Sequence, residues 1–179
     1  MQNFLQVLKK IARATGLSRI YWFIRKIYQT FPIYFPNFIF QRILRVNGGC
    51  PWSVHYTSKV MHSDRMKIHS SVLHYFAVSG GCYLQGTNGL VIDEGTIFAW
   101  GVKIISANHN LEDFGRWDIS EAIHIGKQCW LGTNSVILPG VQLGDRVIVA
   151  AGSVVNKSFP SNRIIGGVPA RELKVRISN

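Results

Sequence analysis

From Ile119 to Pro160 the chain keeps a six-residue beat, legible in the sixes IGKQCW, LGTNSV, ILPGVQ, LGDRVI, VAAGSV and VNKSFP. Each of these begins with an aliphatic residue (Ile125, Leu131, Ile137, Leu143, Val149, Val155). A small or apolar one follows four places on (Cys129, Ser135, Val141, Val147, Ser153, Phe159). A helix brings apolar residues round every three or four positions and an ordinary strand every two, so a strict six fits neither alone. It fits a short strand and a tight turn repeated, winding the chain as a triangular parallel coil whose first residue in each six points into the bore. The expected class is all-β, and function on such a coil belongs where the repeat is interrupted.

Upstream the beat is weaker. Val54, Val60, Met66, Val72, Val78, Leu84, Leu90 and Val102 stand six apart or a multiple of six, accompanied by Tyr56, Ile68, Ile92 and Phe98, and Ile104 starts a further six. From Ile104 to Ile125 the step is 21 residues, which is no multiple of six. With the beat restored at Ile119, residues 106–118, SANHNLEDFGRWD, are expected to leave the coil as a protruding loop. The organisation read from these shifts is a basic amphipathic helical extension over 1–50, the coil with its loop over 51–165, and a tail over 166–179.

The extension is set apart by charge. The chain carries 20 Lys and Arg against 9 Asp and Glu, a net +11. No acid precedes Asp64, whereas Lys9, Lys10, Arg13, Arg19, Arg25, Lys26, Arg42, Arg45 and Lys59 all do. Phe4, Leu5, Leu8, Ile11 and Ala12 recur at helical spacing, and residues 17–28 repeat the pattern. A third short helix carries Phe38, Ile39, Phe40, Ile43 and Leu44 beside Arg42 and Arg45, ending at Gly48 and Gly49. Two readings stand open for residues 1–47: a peripheral hold on anionic lipid at the inner face of the cell membrane, or a cap on the coil and packing between subunits with solvated charges. No nucleic-acid-reading module accompanies the charge, so no specific nucleic-acid partner is expected. The N-terminus has no cleavable-signal pattern, and no apolar run approaches the ~20 residues of a spanning helix, so a cytoplasmic location is expected. Cys50, Cys82 and Cys129 lie far apart with no CxxC pair and read as reduced, structural thiols.

The loop carries His109 between Asn108 and Asn110, followed by Glu112, Asp113 and Asp118. An imidazole is the side chain best suited to take a proton from a hydroxyl or amine near neutral pH, and a neighbouring carboxylate or carbonyl would fix its tautomer. His124, between Ile123 and Ile125, is a second and poorer candidate. His55, His62, His69 and His74 fall to faces or packing. His109 has no HxxxxH partner and the other five histidines are scattered, so no metal is expected.

The repeat, the segment GVKIISANHNL, the block IGKQCWLGTNSVILPGVQLGDRVIVAAGSVVNKSFP and the ending IIGGVPAREL together resemble the hexapeptide-repeat acyltransferases. Within these they are similar to the galactoside, maltose and xenobiotic acetyltransferases and to the sugar O-acetyltransferases of surface-polysaccharide gene clusters. The likeness is strong over 83–175, faint over 52–82 and absent from the basic extension. It implies a left-handed parallel β-helix, a homotrimer with sites between adjacent subunits, and acetyl-CoA as cosubstrate in the groove between two coils.

By the same resemblance His109 is the general base, and the acyl-CoA contacts carry over to Thr133, Ala151, Asn156, Lys157, Arg171 and Lys174. Asn156 stands where the family often has Thr, and Val168 where it often has Asn. The early repeats lack the acceptor-binding residues of the small-sugar enzymes; Ser79 and Thr87 fall near those places. Asn88 lies about one coil below the histidine loop, Asn108 stands beside the histidine and Trp130 at the cleft floor, with turn or packing duty open for each. The expected function is acetyl-CoA-dependent O-acetylation of a sugar hydroxyl on a cell-surface polysaccharide or lipid-linked oligosaccharide. N-acetylation of an amino sugar and a non-catalytic β-helical scaffold are the alternatives.

Overall fold

The computed structural model describes residues 32–175 together with Gln6, Lys9, Ser18 and Trp22. The helical patterns over 4–13 and 17–28 otherwise lie outside the described residues. The rest is a coil of three faces. The first stacks β1 (Lys59–Met61), β3 (Tyr83–Gln85), β6 (Lys103–Ile105), β9 (Val136–Ile137) and β12 (Val154–Val155). The second stacks β2 (Met66–Ile68), β4 (Leu90–Ile92), β7 (Ile123–Ile125) and β10 (Gln142–Leu143). The third stacks β5 (Ile97–Phe98), β8 (Trp130–Leu131), β11 (Ile148–Val149), β13 (Arg163–Gly167) and β14 (Ala170–Val175). Pairing from coil to coil is parallel, and β14, in the tail, turns back antiparallel on β13 at the edge of the third face.

Strands stay this short because the backbone must turn a corner in every six. At the corner between the second and third faces Gly95, Gln128, Arg146 and Asn162 stand one above another, with φ between 54° and 71°. That left-handed conformation costs a residue with a side chain ~1–2 kcal/mol, so the corner is imposed by the wound faces and not by local preference. The gain comes from the bore. Ile125, Leu131, Ile137, Leu143, Val149 and Val155 are all buried, as are Cys129, Ser135, Val141, Val147, Ser153 and Phe159. Each buried aliphatic of this size contributes ~1.5–3 kcal/mol over leaving it in water.

Register defines the loop. In the upper coils partners stand 18 residues apart, as with Ile137 and Val155 or Leu131 and Val149. Across the loop they stand 33 apart on all three faces, in the pairs Ile104 with Ile137, Ile92 with Ile125 and Phe98 with Leu131. The insertion is therefore 15 residues, and every face re-engages above it in the frame it left. The coil resumes later than the sequence pattern suggests: Ile119 is 96% exposed, and the first buried residue after the loop is Ile123. An aliphatic at a multiple of six from Ile125 was a coincidence of spacing within the loop.

The lower coils correct the pattern in two further ways. Val60, Leu84 and Ile104 form one column of the first face, whereas Met66 and Leu90 align with Ile123, two residues before the column of Ile125. The series from Val54 thus mixes two columns, because the turns after Val60 and Leu84 are longer than those above. Also, Leu73–Val78 is a short α-helix standing where a third-face strand of the first coil would be. Its Phe76 is buried edge-on against Phe98, centroids 5.1 Å apart, so aromatic packing substitutes for a ladder; Val78 is only half-buried. Below it, residues 32–38 are helical and continue into a π-helical turn, Ile39–Ile43.

Candidate active site

The expelled loop is built as a narrow antiparallel ribbon. Asp118 N–H donates to the Asn108 carbonyl and Asn110 N–H to that of Arg116, bracketing a bridge between His109 and Trp117. Asn110 organises the tip: its amide donates to Asp118 Oδ1, and its Oδ1 accepts from the N–H groups of Glu112 and Asp113. Arg116 pairs with Asp113 at 2.9 Å. Below, the coil grips both ends of the ribbon. Buried Gln85 accepts from Ala107 N–H, and Ser120 Oγ donates to the Ser106 carbonyl. Asn88 donates to the Asp118 carbonyl and to Ser120 Oγ.

His109 sits exposed on this ribbon with its ring fixed twice. Nδ1 is 2.7 Å from the Phe114 carbonyl, and the ring stacks on Trp117 with centroids 4.0 Å apart and planes 29° from parallel. A carbonyl only accepts, so Nδ1 carries the proton and the neutral ring keeps its acceptor lone pair on Nε2. The orienting partner is a carbonyl of the same loop, not the acidic residues beside the histidine.

The remaining sequence candidates divide between two corners of the coil. Thr133 and Ala151 share the corner between the third and first faces, where Gly152 N–H donates to the Thr133 carbonyl. The two turns touch backbone to backbone: a Cβ on Gly132 would lie 2.6 Å from Ala151 N. Trp130, half-exposed on β8, stands in a row across the third face that runs from Ile97 through Ile148 and Ile164 to Lys174. Arg171 lies exposed on the same β14. On the other side of the first face, the corner shared with the second face carries the His109 loop, Asn88, Asn156 and Lys157, the last with its ammonium 5.5 Å from the Phe159 ring centre. One chain therefore brings Asn88, Asn108 and His109 together, and separately Thr133, Ala151 and Trp130. It does not unite the two sets.

Two of the acceptor candidates lie inside the coil. Ser79 is buried, with Oγ donating to the Phe98 carbonyl, and Thr87 is buried with its hydroxyl 3.1 Å from His62 Nδ1. Both hydroxyls are consumed in holding successive coils together. His124 is exposed on the flat second face, its Nε2 2.8 Å from Asp93 Oδ2. Burial pushes the thiols of Cys50, Cys82 and Cys129 above their ordinary range, which keeps them protonated and unreactive. Among the described residues no three His, Cys, Asp or Glu side chains cluster as a metal would require, and no helix is long and apolar enough to cross a membrane.

A family model described as bacterial transferase hexapeptide (six repeats) matches residues 122–157. Over 191 aligned positions, 94% of each chain, the protein is 28% identical to one from Escherichia coli strain K12 provisionally named the lipopolysaccharide biosynthesis O-acetyl transferase WbbJ. It is also 31% identical over 134 residues, 63% of this chain and 71% of the other, to a Lysinibacillus sphaericus protein provisionally named a macrolide acetyltransferase. The chain belongs to the bacterial hexapeptide-repeat acyltransferases. Their left-handed β-helical fold is shared by a solved variant of AntD, an N-acyltransferase from Bacillus cereus in complex with dTDP and coenzyme A. The TM-score is 0.55 over 76% of this chain and 89% of that one, at 18% identity.

Several parts of this acyltransferase's candidate site had no signature in its sequence. Trp117 and the Phe114 carbonyl meet His109 only because the loop doubles back, and Gln85 reaches it from 22 residues upstream. A ribbon could have been guessed from the Asn and Asp residues flanking its tip, which favour turns. The pairing of Trp117 with His109 could not.

Proposed function

We propose that this acetyltransferase moves the acetyl group of acetyl-CoA onto a sugar hydroxyl of a cell-surface polysaccharide or lipid-linked oligosaccharide, with His109 as general base. The observation that carries the reading is the fixed tautomer of His109: Nδ1–H on the Phe114 carbonyl leaves Nε2 as the acceptor, on a loop the coil expels. Nε2 takes the proton of the acceptor hydroxyl as its oxygen attacks the thioester carbonyl carbon. The resulting imidazolium, still held by the Phe114 carbonyl, returns that proton to the departing thiolate.

The corner at Gly132, Thr133 and Ala151 is built of small residues, over which a thioester on a long flexible arm can lie close to the backbone. Arg171 and Lys174 on β14, and Lys157 at the other corner, supply cations for nucleotide phosphates, and Asn156 supplies a neutral amide beside them. Trp130, Asn108 and Asn88 border the space left for the acceptor. The division of these residues between two corners supports a site formed between copies, and a homotrimer closes three such sites with one kind of contact. The O-acetyl transferase named among its relatives, and the coenzyme A held by AntD, fit this chemistry.

The test incubates the full chain with acetyl-CoA and glycans bearing free hydroxyls, alongside an amino-sugar acceptor. Release of free thiol with a one-acetyl mass gain on the hydroxylated glycan is the expected result. Transfer to the amine alone would replace O- by N-acetylation, and no thiol release with any acceptor would remove the reading.

A further inference from the structure

The segment from Pro32 to Asn47 is mounted inside out. A surface helix of a soluble protein turns its apolar stripe inward and its polar residues to water. Here the buried residues are Asn37, Gln41 and Asn47. Asn37 Nδ2 donates to the Ala77 carbonyl and its Oδ1 accepts from Tyr56 N–H. Gln41 Nε2 donates to the carbonyls of Cys50 and Trp52, and its Oε1 accepts from Val54 N–H. Asn47 does the same between the Ser58 carbonyl and Val60 N–H. Among the described residues no further coil lies below β1, so backbone groups of residues 50–60 have no ladder partner on that side. Three side-chain amides, each offering both donor and acceptor, complete that open end.

This arrangement forces the other side of the segment outward. Phe38, Ile43, Leu44 and Val46 are exposed, Ile43 at 61% and Leu44 at 57%. Arg42 and Arg45 are exposed among them. Neither arginine forms an ion pair among the described residues, and the chain has no carboxylate before Asp64. Apolar side chains interspersed with arginines and free of acids match the boundary between anionic headgroups and acyl chains.

We infer that residues 38–46 dock on the surface of an anionic lipid bilayer, setting the end of the coil against the membrane. The inference stands on the orientation of this segment and holds whatever the acceptor.

The experiment is flotation of the full chain with vesicles made of equal parts phosphatidylcholine and phosphatidylglycerol, and with vesicles of phosphatidylcholine alone. The protein should float with the first and stay behind with the second. Phe38→Ser with Leu44→Ser, and separately Arg42→Gln with Arg45→Gln, should each lower the vesicle partition coefficient about tenfold or more. Acetyl transfer to a water-soluble acceptor should be unchanged in both, which keeps this test apart from that of the reaction. Failure to float with anionic vesicles would overturn the inference. So would flotation of both variants equal to the parent, which would place binding elsewhere in the chain. A fall in assembly mass of the Phe38→Ser, Leu44→Ser protein without lipid would also overturn it, because the face would then join copies of the chain.

Discussion

The Nδ1–H of His109 points at the carbonyl oxygen of Phe114, 2.7 Å away and five residues along the same loop. Losing a positioned general base typically lowers turnover by about 10²–10⁴-fold. His109→Ala should do so with coenzyme A affinity and assembly intact, measured by single-turnover acetyl transfer and calorimetry. His124→Ala should leave turnover near the parent value. The reverse ranking would move the base to the pair formed by His124 and Asp93.

Trp117 restrains the same ring from its face. Stacking of this kind contributes ~0.5–1.5 kcal/mol, so Trp117→Leu should lower kcat about two- to tenfold while KM for acetyl-CoA stays put. A rise in that KM with kcat preserved would instead make Trp117 part of the cosubstrate groove.

Gly132 leaves no room for a side chain. Its Cβ would meet Ala151 N at 2.6 Å and the Val149 carbonyl at 2.7 Å, both of them backbone. Gly132→Ala should force adjacent coils apart at a cost of ~1–3 kcal/mol, read as a lower Tm and weaker coenzyme A binding together. An unchanged Tm would mean the corner yields more readily than its packing implies.

Two cations of the closing hairpin are separable from a third. Arg163 is paired with Glu172 at 2.9 Å, whereas Arg171 and Lys174 form no ion pair among the described residues. Arg171→Ala and Lys174→Ala should each weaken coenzyme A binding by ~1.5–3 kcal/mol, the range for a charge-assisted hydrogen bond. Arg163→Ala should not. Calorimetric titration of the three variants decides it, and equal losses for all three would reduce the effect to general positive charge.

Burial holds the His55 imidazole below its ordinary value near 6.5, with Tyr56 stacked at 4.6 Å and Trp100 edge-on at 5.1 Å. The folded chain takes up that proton less readily than the unfolded one. Stability from this group is therefore full above about pH 6.5 and is lost as pH falls below it toward the folded value. In melts at about pH 7.5 and about pH 5, the parent should lose more Tm than His55→Phe, which keeps a ring without the titration. Equal losses would clear His55 of any part in acid sensitivity.

The upper coils were legible because one residue in six does one job there: Ile125 through Val155 enter the bore and nothing interrupts them. The same rule misled at Ile119, where spacing alone cannot distinguish a bore residue from an exposed one, and at Met66 and Leu90, where longer corners shift the frame. The helix Leu73–Val78 was hidden because Val72 and Val78 are six apart whether the chain is coiled or helical. The inverted segment at 32–47 was read for its apolar stripe, which normally marks the inner face. The deciding residues were its amides, whose partners are backbone groups at the open end of the coil, unseen in the sequence. At the site, His109 stood out by its loop, but the groups that fix its ring come from a fold-back no periodicity announces.

The 15-residue excursion leaves the winding around it untouched, since all three faces pair across it as though it were absent. Scaffold and candidate site are thus independently editable. A ribbon of different length or tip, grafted between Ile105 and Ile123, inherits a foundation already in phase, so new substrate preferences can arise here without renegotiating the architecture beneath.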